Sequence, residues 1–139
     1  PETGQVNVLK VVAAHETGTT INQTMSEGQL EGSVAQGIGF ALMERLVHDD
    51  EGRIVNDRFL DYKIPNIGDV PEIKAYCVES VGTNGPFGAK GIGEPGLVPT
   101  APAIANAIYD AIGVRLHELP MAREQVLTAL KEKQASTAR

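Results

Sequence analysis

The stretch GAKGIGEPG at residues 88–96 separates an apolar run rich in β-branched residues from a segment rich in alanine and isoleucine. It holds four glycines in nine residues, so its backbone can approach another group closely, because no Cβ intervenes. Its carboxylate, Glu94, stands between a glycine and a proline, and the proline restricts the backbone directly after it. We expect this loop to join a strand to a buried helix and to hold Glu94 in place, as a catalytic base beside a large bound cofactor.

Outward from this loop, the sequence predicts three strands and three helices. Strands are expected where β-branched and apolar residues run without turn formers, and helices where apolar residues recur every three or four positions. The predicted strands are residues 6–14, 71–81 and 114–118, and the predicted helices are residues 25–47, 102–112 and 120–133. These elements indicate an α+β fold, with a mixed sheet packed by three helices. We expect a single domain over residues 1–139 with a frayed tail at 134–139.

Local signals suggest where the helices end and how they are connected. Ser26 with Gln29 resembles a capping box for the first helix. Thr100 is expected to cap the second helix and Gly113 to end it. The predicted connections are a loop at 15–24, a turn at 49–52 and extended chain at 53–66.

Composition excludes several classes of function. The net charge of −6 argues against a general binder of nucleic acids or membrane surfaces, since both need a basic patch. A single cysteine, Cys77, excludes an internal disulfide framework. The histidines at positions 15, 48 and 117 lack the spacing of a zinc site, so we expect no metal ligated by the protein. The sequence shows no signal peptide and no membrane span, from which we expect a cytoplasmic protein.

The first predicted helix contains glycines at positions 28, 32, 37 and 39. Glycine in a helix interior costs about 1 kcal/mol relative to alanine, so each needs a reason. Close helix packing is one explanation, and approach by a ligand near the first turn is the other. We favour packing for all but Gly28, where the two are balanced. Gln29 offers an amide beside free backbone N–H groups, which suits a polar heterocycle or a phosphate. A solvated helix cap is the alternative, and it would be favoured if this cluster stood alone.

Residues 91–96 also fit the pattern G-x-G-x-x-G, which raises the possibility of a dinucleotide fold. That fold needs a strand directly before the motif and an acidic residue about 20 positions later. Here a loop precedes the motif, Pro95 removes a backbone donor, and Arg115 stands where the acid is needed. Glu94 would also repel the pyrophosphate. We therefore reject a dinucleotide fold and an independent nucleotide binder.

Several ordered motifs nevertheless resemble one family. The motifs are His15-Glu16-Thr17-Gly18 with Asn22, Gly28-Gln29-x-Glu31-Gly32 with Gln36-Gly37-x-Gly39 and Glu44, then Tyr62-Lys63-Ile64-Pro65, and finally Lys90-Gly91-x-Gly93-Glu94-Pro95. In this order they resemble the C-terminal end of the molybdenum-binding subunit of the xanthine dehydrogenase/aldehyde oxidase family, the molybdenum hydroxylases. The resemblance covers about residues 5–130, and Gly96 stands where many members carry a second proline.

The resemblance implies roles for particular residues. Glu94 corresponds to the family's general base in the hydroxylation of a carbon centre with water as the oxygen source. Gly28 and Gln29 correspond to a motif that contacts the molybdopterin. The loop whose backbone runs along the cofactor corresponds to Lys90, Gly91, Ile92 and Gly93. The implied cofactor is molybdenum–molybdopterin, with its cytosine dinucleotide form as one alternative.

The resemblance also implies partners, because a complete molybdenum-binding subunit in this family is several times longer. We expect the chain to act with the remainder of that subunit and with iron–sulfur and flavin (FAD) subunits in a hetero-oligomer, and to be inactive alone. The substrate is expected to be a small molecule: an aldehyde, a purine or another N-heterocycle. The alternative is a non-catalytic assembly domain of a larger complex that retains the fold.

Overall fold

The computed structural model describes residues 2–137. In chain order the elements are β1 (Lys10–Gly18), α1 (Gln23–Leu42), β2 (Glu72–Glu79), a 3-10 turn (Pro86–Gly88), α2 (Thr100–Ile112) and α3 (Arg123–Thr137). The strands pair in parallel, from Lys10 opposite Glu72 to Glu16 opposite Val78. Parallel pairing needs a long crossover, which α1 and the following loops provide. The α+β class with three helices is confirmed.

The core lies between α1, α2 and one face of the two strands. It contains the buried side chains of Val34, Ile38, Ala41, Ile104, Ile108 and Met121, with Val11, Ala13 and Ile73 packed against them. The residues that alternate with these on the strands, such as Val12 and Tyr76, are exposed. The described chain therefore covers its sheet on one face only.

The sheet differs from the mixed, three-stranded sheet that we predicted. Residues 114–118 form no strand, so the sheet within residues 2–137 has two parallel strands. β1 begins at Lys10 rather than at residue 6 and continues to Gly18, through part of the predicted loop at 15–24. Hydrogen bonding to β2 extends β1 into polar sequence, because pairing with a neighbouring strand outweighs the low intrinsic strand propensity of these residues.

The segment at 53–66 is not extended throughout. Ile54 makes an isolated bridge with His48, and a turn follows in which the amides of Asp61 and Tyr62 donate to the carbonyl of Arg58 at 2.9 and 2.7 Å. The predicted turn at 49–52 is confirmed by the bond from Gly52 N to Asp49 O at 3.0 Å.

The helix bounds also need correction. α1 begins after Asn22, whose Oδ1 accepts from Met25 N at 3.0 Å, so Asn22 is the cap and Ser26 lies inside the helix. Thr100 is the first residue of α2 rather than its cap, and its hydroxyl donates to Gly96 O at 3.2 Å. Gly113 ends α2 as predicted, with a left-handed φ of 65°. α3 spans 123–137 instead of 120–133, so residues 134–137 of the expected frayed tail are helical; residues 138 and 139 lie outside the described chain.

Candidate functional site

The glycine loop, defined here as residues 88–96, connects β2 to α2 and is bonded to the end of β1. Its backbone pairs with β1 through Lys90 N to Thr17 O and Thr19 N to Gly88 O, both at 3.0 Å. Gly18 has a φ of 63°, and a Cβ there would collide with Gly88 O, which explains why this position is glycine. These contacts attach the upstream end of the loop to the end of β1.

A carboxylate that the sequence did not single out lies at this junction. Glu16 accepts hydrogen bonds from Lys90 Nζ, from Ser80 Oγ and from Gly18 N, the last at 2.7 Å. The ammonium of Lys90, followed by the Ser80 hydroxyl and the Gly18 amide, lowers the pKa of Glu16 to about 2. The sequence contains one signal for this contact: Glu16 and Lys90 carry opposite charges, and each lies in one of the motifs that resemble the molybdenum hydroxylase family.

The downstream part of the loop is attached to α1. Gln29 Nε2 donates to Gly93 O at 2.5 Å, which brings together two residues predicted to contact the cofactor. Among the described residues, none donates to the side-chain oxygen of Gln29, which is exposed. A Cβ on Gly96 would lie 2.9 Å from Ser33 Cβ and 3.2 Å from Leu30 Cδ2. Close packing on α1 therefore accounts for glycine at this position.

Glu94 lies between Gly93 and Gly96, the two positions at which the loop contacts α1. Its carbonyl accepts from Leu97 N at 2.9 Å, in the turn that leads into α2. We expected the loop to hold Glu94 in place, and this turn restricts the backbone of Glu94 rather than its side chain. The side chain is exposed, and within residues 2–137 no hydrogen bond or ion pair reaches its carboxylate. The carboxylate is available to a group outside this chain.

The glycines fall into two groups. At Gly37 an added Cβ would lie 2.5 Å from Thr100 Cβ, and at Gly39 it would lie 2.8 Å from Pro65 Cδ and collide with Glu44. Packing was the explanation that we favoured for both. At four other positions a Cβ would have no neighbour within 4 Å and φ is not positive; these open glycines are Gly28, Gly32, Gly91 and Gly93. Packing is therefore the wrong explanation for Gly32.

The motifs around Tyr62 form a second cluster. Tyr62 donates its hydroxyl to Glu44 Oε2 at 2.6 Å, and Pro65 packs on Gly39. The same bond raises the pKa of Tyr62. This cluster ties the segment after α1 to the end of that helix, and it contains none of the predicted site residues. Its role is structural.

The rest of the described chain offers an apolar groove, but no metal-binding cluster and no membrane-spanning helix. An apolar groove of about 1250 Å³ runs along residues 4–12 and between α2 and α3, and none of the predicted site residues lines it. In the described part of the chain, no three His, Cys, Asp or Glu side chains are grouped closely enough to hold a metal ion. Across residues 2–137, no helix combines the length and the apolar character needed to cross a bilayer.

Comparison with known proteins gives consistent matches. A family model described as the molybdopterin cofactor-binding domain matches residues 1–71. The large subunit of nicotine 6-hydroxylase from Paenarthrobacter nicotinovorans is 40% identical over 134 residues, which are 94% of this chain and 16% of that subunit. The probable hypoxanthine oxidase XdhD of Escherichia coli K12 is 39% identical over 131 residues, 94% of this chain and 14% of that protein.

The fold is matched as well. The crystal structure of quinoline 2-oxidoreductase from Pseudomonas putida 86 superposes with a TM-score of 0.87 at 32% identity, over 94% of this chain and 17% of that one. The chain thus spans between 14% and 17% of the length of these three proteins.

Proposed function

This chain belongs to the family of molybdopterin cofactor-binding domains, and from that premise we propose that it forms part of a molybdenum-cofactor oxidoreductase that hydroxylates a carbon centre, with water as the oxygen source. We propose an aldehyde, a purine or another N-heterocycle as the substrate, and Glu94 as the general base. The chain would contribute the base and one wall of the cofactor site, and the rest of a longer subunit would complete it. We do not expect turnover from the chain alone.

The observation that carries the proposal is the set of open glycines. Neither backbone conformation nor packing within the chain requires glycine at positions 28, 32, 91 and 93. Two of them lie inside α1, where glycine is unfavourable. The bond between Gln29 and Gly93 joins the two pairs into one region. Glycine at these positions is explained if a large group approaches the backbone there, as a bound pterin would.

The donor set in this region fits such a group. The Gln29 side-chain oxygen can accept a hydrogen bond, and the backbone amides of residues 91–93 can donate along the loop, whereas the amide of Lys90 already donates to Thr17. The metal itself would need no protein ligand here, since the pterin sulfurs hold it in the family that the sequence resembles. When bound, the cofactor would accept the two electrons of the oxidation.

The proposed role of Glu94 follows from the balance of the reaction. Hydroxylation replaces a C–H bond by C–OH: the hydrogen leaves the carbon with two electrons, which the bound cofactor would accept, and water loses one proton to the base as its oxygen joins the carbon. The other hydrogen of water stays in the product as its O–H. A carboxylate oxygen of Glu94 would accept that proton, because the side chain is exposed and no described residue occupies it. The turn at Glu94–Leu97 would keep the base directed at the same point.

Partners and further cofactors extend the proposal. Relatives that are named as subunits imply assembly with other chains, and we propose iron–sulfur and FAD modules on those chains. The cytosine dinucleotide form of the cofactor and a cytoplasmic location are also proposed.

One observation favours a second function, that of a non-catalytic assembly domain. The apolar groove along residues 4–12 lies apart from the glycine loop and offers contact area to another polypeptide. Metal analysis of the native protein with all its partners separates the two functions: bound molybdenum supports the oxidoreductase, and its absence supports the assembly domain.

The base is tested by Glu94→Gln in the complete molybdenum-binding subunit that contains this chain. We expect turnover to fall by at least about a hundredfold, because general base catalysis contributes factors of this size. Molybdenum content should stay unchanged. Glu118→Gln, at an exposed carboxylate away from the loop, is the control and should retain full activity. Substantial activity in Glu94→Gln would refute the assignment.

A further inference from the structure

We propose that Glu16 and Lys90 act as a positioning pair: together their side chains hold the upstream end of the glycine loop and so determine where Glu94 stands. This inference rests on the proposed function of Glu94. In this arrangement the ammonium of Lys90 donates to Glu16. The loop backbone, rather than the lysine side chain, would then face the cofactor.

The first step is the convergence of bonds on one carboxylate. Glu16 lies near the end of β1, Ser80 is the first residue after β2, and Lys90 lies within the glycine loop. Because Ser80 and Lys90 both donate to Glu16, this carboxylate connects both strands to the loop. The backbone bond from Lys90 N to Thr17 O, at 3.0 Å, lies beside it.

The second step leads from Lys90 to Glu94. Only Gly91 and Ile92 separate Lys90 from Gly93, whose carbonyl is held by Gln29. An added Cβ at Gly91 or Gly93 would meet no atom within 4 Å, and glycine leaves this part of the loop more backbone conformations than other residues would. Its course therefore depends on its two attachments, and loss of the upstream one lets the residues before Glu94 sample more conformations.

The Glu16–Lys90 pair is too exposed to contribute much to global stability. Side-chain exposure is 48% for Lys90 and 41% for Glu16, and exposed ion pairs contribute little to global stability. The chain offers a matched pair for comparison at the other end of the same strands. Lys10 and Glu72 lie 3.1 Å apart with exposures of 43% and 57%, and they do not touch the glycine loop.

The first measurement is amide hydrogen exchange in the 139-residue chain. In Glu16→Gln and in Lys90→Met, we expect exchange at residues 88–90, whose amides are hydrogen-bonded, to accelerate about two- to fivefold, the range for loss of an exposed ion pair. Lys90→Arg retains the charge and should exchange like the parent chain. Glu72→Gln removes the matched pair and should leave these residues unchanged. Equal exchange in Glu16→Gln and the parent chain would overturn the proposal.

The second measurement is steady-state kinetics in the complete molybdenum-binding subunit. A positioning role predicts that Glu16→Gln lowers kcat by about ten- to a hundredfold, since small displacements of a catalytic group have effects of this size. KM and molybdenum content should remain unchanged. Unchanged kcat, or a loss of activity that parallels a loss of molybdenum, would overturn the proposal. Hydrogen exchange tests the positioning pair without reference to catalysis. The role of Glu94 as the base is tested separately, by the activity of Glu94→Gln.

Discussion

The two halves of α1 both contain glycines, for different reasons. In the C-terminal half, Gly37 and Gly39 lie against Thr100 and Pro65, and a methyl group has no room. In the N-terminal half, Gly28 and Gly32 face open space, although glycine weakens a helix there as well. The first pair is explained by the fold of this chain. The second pair has no such explanation within the chain, and this contrast is why we propose that the cofactor lies against the N-terminal half.

The largest expected effect comes from Gly37→Ala. The new Cβ would lie 2.5 Å from Thr100 Cβ, and both residues are buried between α1 and α2. We expect the free energy of unfolding to fall by about 1–3 kcal/mol, the usual result of overpacking. Urea unfolding of the 139-residue chain measures it. An unchanged free energy of unfolding would contradict the explanation that packing requires glycine at position 37.

Gly32→Ala should have the opposite sign. An added Cβ meets no atom within 4 Å, and alanine favours the helix. We expect the free energy of unfolding to rise by about 0.5–1 kcal/mol in the same urea experiment. If this variant is destabilised like Gly37→Ala, the two halves of α1 are not distinct.

The smallest expected effect is a pH dependence at the junction of β1 and the glycine loop. The pKa of Glu16 is lowered from 4.5 to about 2, mainly by Lys90, so ionised Glu16 favours the folded state. This contribution is complete above about pH 4.5 and is lost as the pH falls toward 2. The urea midpoints of the parent chain and Glu16→Gln should therefore differ at pH 6 and converge near pH 2. A difference that persists at pH 2 would contradict this account.

The fold was predictable where a pattern is local. The stripe Leu30, Val34 and Ile38 predicted α1, and Gly113 predicted the end of α2. The segment at 114–118 misled because its apolar residues are compatible with a strand, but a strand needs a partner, and no strand of the described chain lies beside it. The start of α1 was misplaced because Asn22 and Ser26 are both good caps, and only the fold decides between them.

The candidate site was predictable through resemblance rather than through physics. The ordered motifs pointed to the molybdenum hydroxylases, and the family match confirms that resemblance. The contact from Gln29 to Gly93 and the pair of Glu16 with Lys90 join residues 64 and 74 positions apart, and no local signal specifies such contacts. The motifs also gave no hint that Glu44, Tyr62 and Pro65 form a separate structural cluster, since in sequence they stand among the site residues.

The central claim, that the open glycines make room for the cofactor, is tested most directly by the molybdenum content of the complete subunit carrying Gly32→Ala or Gly91→Ala. Metal analysis of the purified protein, normalised to protein mass, is the measurement. The account predicts at least about a fivefold loss of molybdenum, because a methyl group forced against a bound group costs about 1–3 kcal/mol, while Gly32→Ala leaves the chain as stable as before or more so. Full molybdenum content in both variants would contradict it.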